Sequence, residues 1–274
     1  MIELQNVSFK NVIHELNLKI EPGEFITVVG SNGAGKSTLL NLIAGVCRPT
    51  SGSILFNGED VTQLPVQKRA GMVSRVFQDP MIGTCSELTV AENLALARSR
   101  GGSRRLRAAI RSSDATNFTS ILRGLDLRID SLLNKQVRHL SGGERQALAL
   151  IIATLSPSTI LLLDEHTSAL DPRMAEKIME LTNRLVAEKS LTTFMVTHSL
   201  KQSLEVGTRT LMLHDGKIIF EVAGMARTKL TMKDLLDKFV QATHASNSVS
   251  SNCFASSTSF SLTINRTPPV IADK

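Results

Sequence analysis

The residues with the most specific chemistry form a glycine-rich stretch near the amino terminus, Gly30-Ser31-Asn32-Gly33-Ala34-Gly35-Lys36-Ser37-Thr38. A glycine, four residues and then Gly-Lys-Ser is the spacing of a P-loop, a loop that binds phosphate groups. The apolar residues 25–29 precede it and a helical pattern follows from Leu39, in the order that such a loop needs. We expect glycine backbone to bend around the phosphates, Lys36 to contact the β- and γ-phosphates, and the Ser37 hydroxyl to bind Mg²⁺. The stretch therefore predicts a nucleoside triphosphate site.

Two adjacent carboxylates, Asp164 and Glu165, follow the apolar run 159–163. Hydrophobic residues before an aspartate are typical of a buried strand whose aspartate holds Mg²⁺ through water. We expect Glu165 at the carboxyl end of that strand, where it can polarise an attacking water. His198 directly follows a second apolar run, 193–197, and is expected to contact the γ-phosphate. A lone histidine after a strand is more often structural, so this assignment depends on both strands sharing one sheet.

A third motif, Leu-Ser-Gly-Gly-Glu-Arg-Gln, occupies residues 140–146 before an apolar helical run. Locally it is a capping box, in which Ser141 caps the helix and Glu144 lies three residues further on. A capping box does not explain the pair Gly142-Gly143, which widens the pocket of backbone N–H groups at the helix start. Such a pocket is suited to a second phosphate contact.

The periodicity of the chain predicts an α/β protein that places these motifs at the ends of buried strands. Two alternating segments before the P-loop predict an antiparallel β-layer beside the main sheet, and Asp215-Gly216 predicts a later hairpin turn. The predicted strands cover residues 2–9, 16–20, 25–29, 53–56, 72–77, 159–163, 193–197, 211–214 and 217–220. The predicted helices begin near residues 39 and 87 and cover 121–133, 147–155, 173–189 and 231–240.

Composition describes an ordinary soluble globular protein, with 42% hydrophobic and 20% charged residues among 274. The net charge of +6 permits contact with anionic lipid or nucleic acid but requires neither. No apolar run approaches the ~20 residues of a membrane helix, and no signal peptide pattern is visible. The three cysteines lie far apart, which argues against a disulfide framework or a cysteine metal cluster. We expect a cytosolic protein.

Two regions differ in character from the strand-rich remainder. Residues 87–156 lack strand signals and predict a helical subdomain inserted into the core. The arginine-rich stretch 98–111 within it allows two interpretations, a basic face for an acidic partner or lipid surface, and the favoured one, a solvated helix face. Residues 241–274 are rich in Ser, Thr and Asn without a helical period, and predict a disordered tail.

In order and spacing, these motifs resemble those of the ATP-binding subunit of ABC transporters. The resemblance covers residues 1 to about 240 and rests on the P-loop, Gln78, and the segments 140–146, 160–165, 168–171 and 198. It implies a P-loop NTPase core of the RecA-like type, with an antiparallel β-layer and an inserted helical subdomain. The core would comprise residues 1–86 and 157–240, and the insertion residues 87–156.

The resemblance also implies cofactors and residue roles. ATP and Mg²⁺ are the expected cofactors. Lys36 would serve the phosphates, and Ser37 and Asp164 would serve Mg²⁺. Gln78 would sense Mg²⁺ and the attacking water and relay this to a membrane subunit. The further implied roles are Glu165 as general base, His198 as γ-phosphate clamp, Asp171 as a bridge between two sites, and Ser141, Gly142 and Gly143 as contacts made in trans.

The implied partners follow from a two-site mechanism. A second copy of the chain would form a head-to-tail dimer that sandwiches each ATP between one P-loop and the opposing segment 140–146. Integral membrane permease subunits and an extracytoplasmic substrate-binding protein would complete the system, with no nucleic acid partner. The chain would lie on the cytoplasmic face of the inner membrane. Segments 75–81, 164–172 and 192–198 resemble a bacterial importer subfamily, some of whose members are linked to aromatic amino acids such as tryptophan.

Two departures from the family pattern affect these expectations. His166 stands where most of the family has proline, although the importer subfamily shares the histidine. The family usually stacks adenine on an aromatic residue shortly after the first strand, but here Phe9 is followed by Lys10 and Asn11. Either Phe9 itself or an aliphatic such as Val12 would then face the base, which leaves open the choice between ATP and GTP.

Three other classes compete with a transport ATPase. A soluble ABC ATPase of translation, repair or cofactor assembly often carries two ATPase domains or a long coiled-coil insertion, whereas this chain has one P-loop and no heptad run. A nucleotide-binding scaffold without turnover is disfavoured because the hydrolytic residues are all present. A P-loop kinase would lack the 140–146 motif.

Overall fold

The computed structural model describes residues 1–99, 132–155, 157–238 and 240–241. The strands are β1 (Ile2–Phe9), β2 (Ile13–Ile20), β3 (Phe25–Gly30), β4 (Ser51–Phe56), β5 (Glu59–Asp60), β6 (Val73–Val76), β7 (Ile160–Asp164), β8 (Thr192–Val196), β9 (Arg209–His214) and β10 (Lys217–Ala223). The helices are α1 (Lys36–Ala44), α2 (Val66–Arg69), α3 (Val90–Arg98), α4 (Gly142–Leu155), α5 (Pro172–Lys189), α6 (Leu200–Glu205) and α7 (Gly224–Thr228). Residues 232–238 are helical again.

A six-stranded sheet in the order β10-β9-β3-β8-β7-β6 forms the centre of the fold. β3 pairs in parallel with β8 and β9, and β7 pairs in parallel with β6 and β8. β10 is antiparallel to β9, and the two are joined at Asp215-Gly216, which confirms the predicted hairpin. Because β3, β7 and β8 are parallel, their carboxyl ends lie at one edge of the sheet, where α/β proteins bind ligands.

A second sheet confirms the predicted β-layer. It has four antiparallel strands in the order β2-β1-β4-β5. The buried side chains of β1 and β2, including Ile2, Leu4 and Ile20, share a hydrophobic cluster with Leu39 and Ile43 of α1. The β-layer and the central sheet therefore enclose the helix that follows the P-loop.

Side chains along β7 alternate between two cores, one on each face of the central sheet. Ile160 and Leu162 belong to the cluster that contains α1 and the β-layer. Leu161 and Leu163 belong to the cluster that contains α3, α4 and α5. This alternation follows from the two-residue period of a strand, and it makes β7 an apolar run because both of its faces are buried.

The element boundaries agree with the predictions at most positions. β2 begins at Ile13, three residues before the predicted start, and α4 begins at Gly142, directly after the predicted cap Ser141 and before the apolar run 147–155. The arginine-rich stretch beyond Ser99, the predicted helix up to residue 131 and the predicted tail from residue 242 lie outside the described residues. Within the described ranges, no helix has both the length and the apolar character needed to cross a membrane.

Candidate nucleotide-binding site

The P-loop connects β3 to α1, as its position in the sequence predicts. Gly35 adopts a left-handed conformation with φ of 101° at the helix start. A Cβ there would lie 2.7 Å from Ile13 Cδ1 and 3.1 Å from the Val12 carbonyl oxygen, so the protein's own β-layer requires this glycine. Because Gly35 has no side chain to cap α1, the first backbone N–H groups of the helix are left for an anion.

The side chain of Lys36 lies folded within the P-loop. Its Nζ donates hydrogen bonds to the carbonyl oxygens of Gly30 at 2.9 Å and Ser31 at 2.8 Å. Burial lowers the pKa of Lys36, and this effect is opposed by the negative charges of Glu165 and Asp164. Lys36 is thus a partly desolvated cation that interacts with both the loop carbonyls and the two carboxylates. An anionic ligand in the P-loop would contact this cation.

Asp164 ends β7 and faces α1. Its Oδ1 accepts a 3.4 Å hydrogen bond from Ser37 Oγ, and its Oδ2 forms a 2.5 Å ion pair with Arg75 Nη2. The predicted pair of Mg²⁺ residues, Ser37 and Asp164, is therefore brought together. Both supply oxygen, the donor that Mg²⁺ prefers, and Mg²⁺ typically completes its shell with water and substrate phosphate. The residues present fit Mg²⁺.

Glu165 is the first residue beyond β7 and adopts a positive φ of 49°. Its backbone N–H donates to the Val196 carbonyl oxygen at 3.0 Å, and Ser168 Oγ donates to the Glu165 carbonyl oxygen at 2.8 Å. The side chain points to His198, whose Nε2 lies 2.6 Å from Glu165 Oε1. β7 and β8 are neighbours in one sheet, so the condition on which the His198 prediction depended is met.

The motif at residues 140–146 forms the predicted capping box. The backbone N–H of Ser141 donates to Glu144 Oε2 at 2.7 Å, and the N–H of Glu144 donates to Ser141 Oγ at 3.3 Å. Ser141 and Gly142 are exposed. Gly143 is buried, and a Cβ there would lie 2.4 Å from Met174 Cγ. A side chain at position 143 would therefore require the flexible Met174 side chain of α5 to move, a contact that the sequence did not reveal.

Asp171 and Gln78 are two further predicted site residues. Asp171 caps α5, and its Oδ1 accepts a 3.1 Å hydrogen bond from the Met174 N–H. Gln78 is exposed in the turn after β6. The neighbouring Phe77 carbonyl oxygen accepts a 3.4 Å hydrogen bond from Gln146 Nε2, which ties this turn to α4.

His166 has a structural role that its sequence position did not indicate. The residue is 2% exposed, and its Nε2 lies 3.0 Å from Thr182 Oγ1 of α5. Burial lowers the pKa of His166 to about 4, so the ring is neutral at physiological pH. The histidine therefore fixes the chain that follows Glu165 onto the adjacent helix.

The two candidates for an adenine contact lie at the turn between β1 and β2. Phe9 and Val12 are partly buried against the cluster that contains α1. The Lys10 ammonium lies 5.2 Å from the Phe9 ring centroid, and the Val12 carbonyl approaches Gly35 of the P-loop. Phe9 and Val12 therefore both stay candidates for the adenine contact. Of the two, Val12 is the one whose carbonyl group lies next to the P-loop.

Comparison with known proteins identifies the family of this chain. Residues 13–168 match the ABC transporter family. A tyrosine transport ATP-binding protein of Clostridioides difficile (strain R20291) is 43% identical over 251 residues, covering 88% of this chain and 100% of that protein. This chain belongs to the ABC transporter family. The thiamine import ATP-binding protein ThiQ of Escherichia coli (strain K12) is 34% identical over 235 residues, covering 85% of this chain and 95% of its own length.

Solved ABC cassettes share this fold. The ATP-binding cassette MJ0796, in a dimeric post-hydrolysis state bound to ADP and Pi, superposes with a TM-score of 0.70 at 28% identity, over 81% of this chain and 98% of that one. Another cassette, MJ1267, superposes with a TM-score of 0.74 at 24% identity. The predicted P-loop fold and ATPase activity are confirmed by these relatives. The protein is the ATP-hydrolysing subunit of an ABC transporter.

Sequence reasoning missed Arg75. The residue lies on β6, between the buried Ser74 and Val76, and its charge interrupts an otherwise uncharged strand. A single cation within an otherwise uncharged predicted strand is a signal that could have identified it.

Proposed function

We propose that this chain powers an ABC importer, with ATP binding closing a head-to-tail dimer and hydrolysis reopening it. The observation that carries the proposal is the meeting of Lys36, Asp164, Glu165 and His198 at one edge of the sheet, at or beyond the carboxyl ends of β3, β7 and β8. The named relatives are transport and import proteins, which supports import and disfavours a soluble role in translation, repair or cofactor assembly.

Each side chain has a proposed role in ATP hydrolysis. Lys36 and the N–H groups at the start of α1 bind the phosphates, since both are positive and already oriented. Ser37 and Asp164 would hold Mg²⁺, with Gln78 sensing its presence, and the bound metal would supply the positive charge that neutralises the phosphates. Glu165 accepts the proton of the attacking water, while His198 holds the carboxylate and then contacts the γ-phosphate.

The second nucleotide contact comes from a partner copy. Ser141 and Gly142 are exposed at the start of α4, where N–H groups and the helix dipole favour an anion. We assign Ser141, Gly142 and Gly143 to the opposing ATP, and Asp171 to the bridge between the two sites. The dimeric state of the similar cassette MJ0796 supports this arrangement.

A groove beside the Gln78 turn is the proposed docking place of the membrane permease. It has a volume of about 380 Å³ and is lined by residues that include Phe77, Pro80, Ile82, Leu96 and Ile152. Ile82 and Leu96 are 63% and 50% exposed, an unusual position for large apolar side chains in two adjacent segments. An apolar permease element seated here would press directly on the turn that carries Gln78.

The remaining proposals concern the location of the chain, its cargo and its domain organisation. The chain acts at the cytoplasmic face of the inner membrane, and an extracytoplasmic substrate-binding protein delivers the cargo. Aromatic amino acids are the cargo class to test first, because the 43% identical relative is a tyrosine transport protein. Residues 1–86 and 157–240 form the ATPase core, and residues 87–156 the inserted helical subdomain.

Replacing Glu165 with Gln tests the proposed chemistry. The amide cannot accept the proton of water, so we expect hydrolysis to fall by about 100-fold or more while ATP binding is retained. The variant should also accumulate as an ATP-bound dimer in size-exclusion chromatography. Exposed Glu176→Gln on α5 is the matched control and should behave as wild type. Steady-state hydrolysis by Glu165→Gln close to that of wild type would remove Glu165 from the role of base.

A further inference from the structure

The Mg²⁺ carboxylate has a cationic partner that its motif does not contain. The side chains of Arg75 and Asp164 are 13% and 14% exposed, and their Nη2 and Oδ2 atoms lie 2.5 Å apart. The other carboxylate oxygen, Oδ1, faces Ser37 Oγ. Each oxygen of Asp164 therefore has a separate partner, one on β6 and one on α1.

Strand register explains how Arg75 reaches Asp164. β6 and β7 are parallel, and Arg75 is paired with Leu162, two residues before Asp164. A strand rises about 3.3 Å per residue, so Asp164 lies about 6–7 Å ahead, within the length of an arginine side chain. Leu162 and Asp164 are two residues apart and share the face of the sheet that packs on α1.

Two further contacts hold the guanidinium itself. Arg75 Nη1 donates to Asn41 Oδ1 at 2.5 Å, and Asn41 lies on α1 one helical turn after Ser37. The Arg75 guanidinium carbon lies 4.7 Å from the centroid of the Phe77 ring, a cation–π distance. The guanidinium is thus held by Asn41 of α1 on one side and by Phe77, the residue before Gln78, on the other.

We propose that Arg75 is the positioning residue for the Mg²⁺ ligand Asp164. The terminal torsion of an aspartate is broad, so an isolated carboxylate would rotate. By holding Oδ2, Arg75 directs Oδ1 towards Ser37 and the place where Mg²⁺ binds. Partners that orient a metal-ligating carboxylate in this way commonly change metal affinity by about 10–100-fold. The inference rests on the proposed assignment of Ser37 and Asp164 to Mg²⁺.

Metal affinity measured without turnover tests the proposal. Mn²⁺ replaces Mg²⁺ as a paramagnetic probe, and its binding to the protein–ATP complex is followed by electron paramagnetic resonance in the Glu165→Gln background. We expect Arg75→Gln to weaken Mn²⁺ binding by about tenfold or more, with the affinity for ATP in EDTA and the melting temperature nearly unchanged. The exposed Arg48→Gln removes the same charge elsewhere and should leave Mn²⁺ binding unchanged.

Two other variants separate positioning from charge. Arg75→Lys keeps the cation but lacks the fork that reaches Asn41 and Asp164 together, so its Mn²⁺ affinity should fall between those of the parent and Arg75→Gln. Asn41→Ala leaves Arg75 and Asp164 intact but loosens the guanidinium, and should weaken Mn²⁺ binding less than Arg75→Gln does. Should Arg75→Gln fail to fold, the result for Asn41→Ala decides the proposal.

The outcomes distinguish the failure of this inference from that of the proposed function. Unchanged Mn²⁺ affinity in Arg75→Gln and Asn41→Ala would overturn the positioning role, and tighter binding in Arg75→Gln would make Arg75 a competitor of the metal instead. If the parent protein itself bound no Mn²⁺ with ATP, the assignment of Ser37 and Asp164 would be wrong, independently of Arg75.

Discussion

Two polar side chains, Arg75 and His166, hold the segment that carries the two carboxylates of this site. Asp164 is held by Arg75 from the neighbouring strand, and Glu165 is followed at once by His166, which is hydrogen-bonded to Thr182. Glu165 also keeps a positive φ of 49°, which is uncommon for a residue that is not glycine. The local conformation at the catalytic edge is therefore maintained by contacts to β6 and α5, outside the motifs themselves.

The lowered pKa of His166 predicts that stability falls with acidification. The folded pKa of about 4 lies below the usual value of about 6.5, so the unfolded chain takes up the proton first. The stability contributed by the neutral histidine is complete above pH 6.5 and is lost as pH falls towards 4. At pH 5 the loss amounts to about 2 kcal/mol.

Urea unfolding at pH 7.5 and pH 5 measures this effect. The His166→Asn variant should be less stable at pH 7.5 and should lose about 2 kcal/mol less than wild type on acidification. His139→Asn, at an exposed histidine, is the matched control and should retain the full pH dependence of wild type. An equal loss of stability in wild type and His166→Asn would show that other groups cause the acid sensitivity.

At the scale of elements, one arginine joins the P-loop helix to the β-layer. Arg69 at the end of α2 is fully buried, and its Nη1 donates to the carbonyl oxygens of Leu42 and Ile43, at 2.7 and 3.0 Å. Its Nη2 donates to the carbonyl oxygens of Val61 and Thr62. The last turn of α1 thus receives a cation where the helix dipole is negative, and four carbonyl groups are satisfied by one side chain.

Removing this arginine should destabilise the fold without touching the catalytic residues. We expect Arg69→Met to lower the free energy of unfolding by about 3 kcal/mol or more, because it leaves buried carbonyl groups without donors. Urea denaturation measures the change, and the exposed Arg48→Met should shift it by less than about 0.5 kcal/mol. A change in Arg69→Met as small as that of the control would mean that water replaces the guanidinium at these carbonyls.

At the scale of the whole molecule, the proposed nucleotide contacts come from two separate parts of the chain. The P-loop, Asp164, Glu165 and His198 lie together at one edge of the central sheet, while Ser141 lies just before α4 and is exposed. The proposed dimer completes each ATP site with the exposed helix start of a second copy. Hydrolysis would then depend on residues of both copies, which can be tested by mixing.

The variant Ser141→Arg tests the shared site. A long side chain at the start of α4 would occupy the place of the opposing γ-phosphate, so hydrolysis should be abolished while the monomer still binds nucleotide. Ser141→Ala removes only the cap and should cost about 1 kcal/mol of stability with some activity retained. Mixing Ser141→Arg with inactive Lys36→Ala should restore one competent site in each mixed dimer. No gain on mixing, or full activity of Ser141→Arg alone, would contradict the head-to-tail arrangement.

Local patterns in the sequence were sufficient for the P-loop, the apolar strand before Asp164 and the capping box at Ser141. Each depends on residues within about ten positions, so spacing and periodicity carry the information. The roles assigned to these residues in catalysis stay predictions. The sequence also indicated the β-layer and the hairpin, because alternation and the Asp-Gly turn are local signals as well.

Only the tertiary structure decided which distant residues meet. The pairing of β6 with β7 brought Arg75 to Asp164, 89 positions apart, and the packing of α5 gave His166 its partner Thr182 and placed Met174 against Gly143. These contacts cross between strands and helices, so no spacing along the chain encodes them. A buried cation or histidine is stabilised by partners that folding supplies, and the identity of those partners is therefore a property of strand order and register.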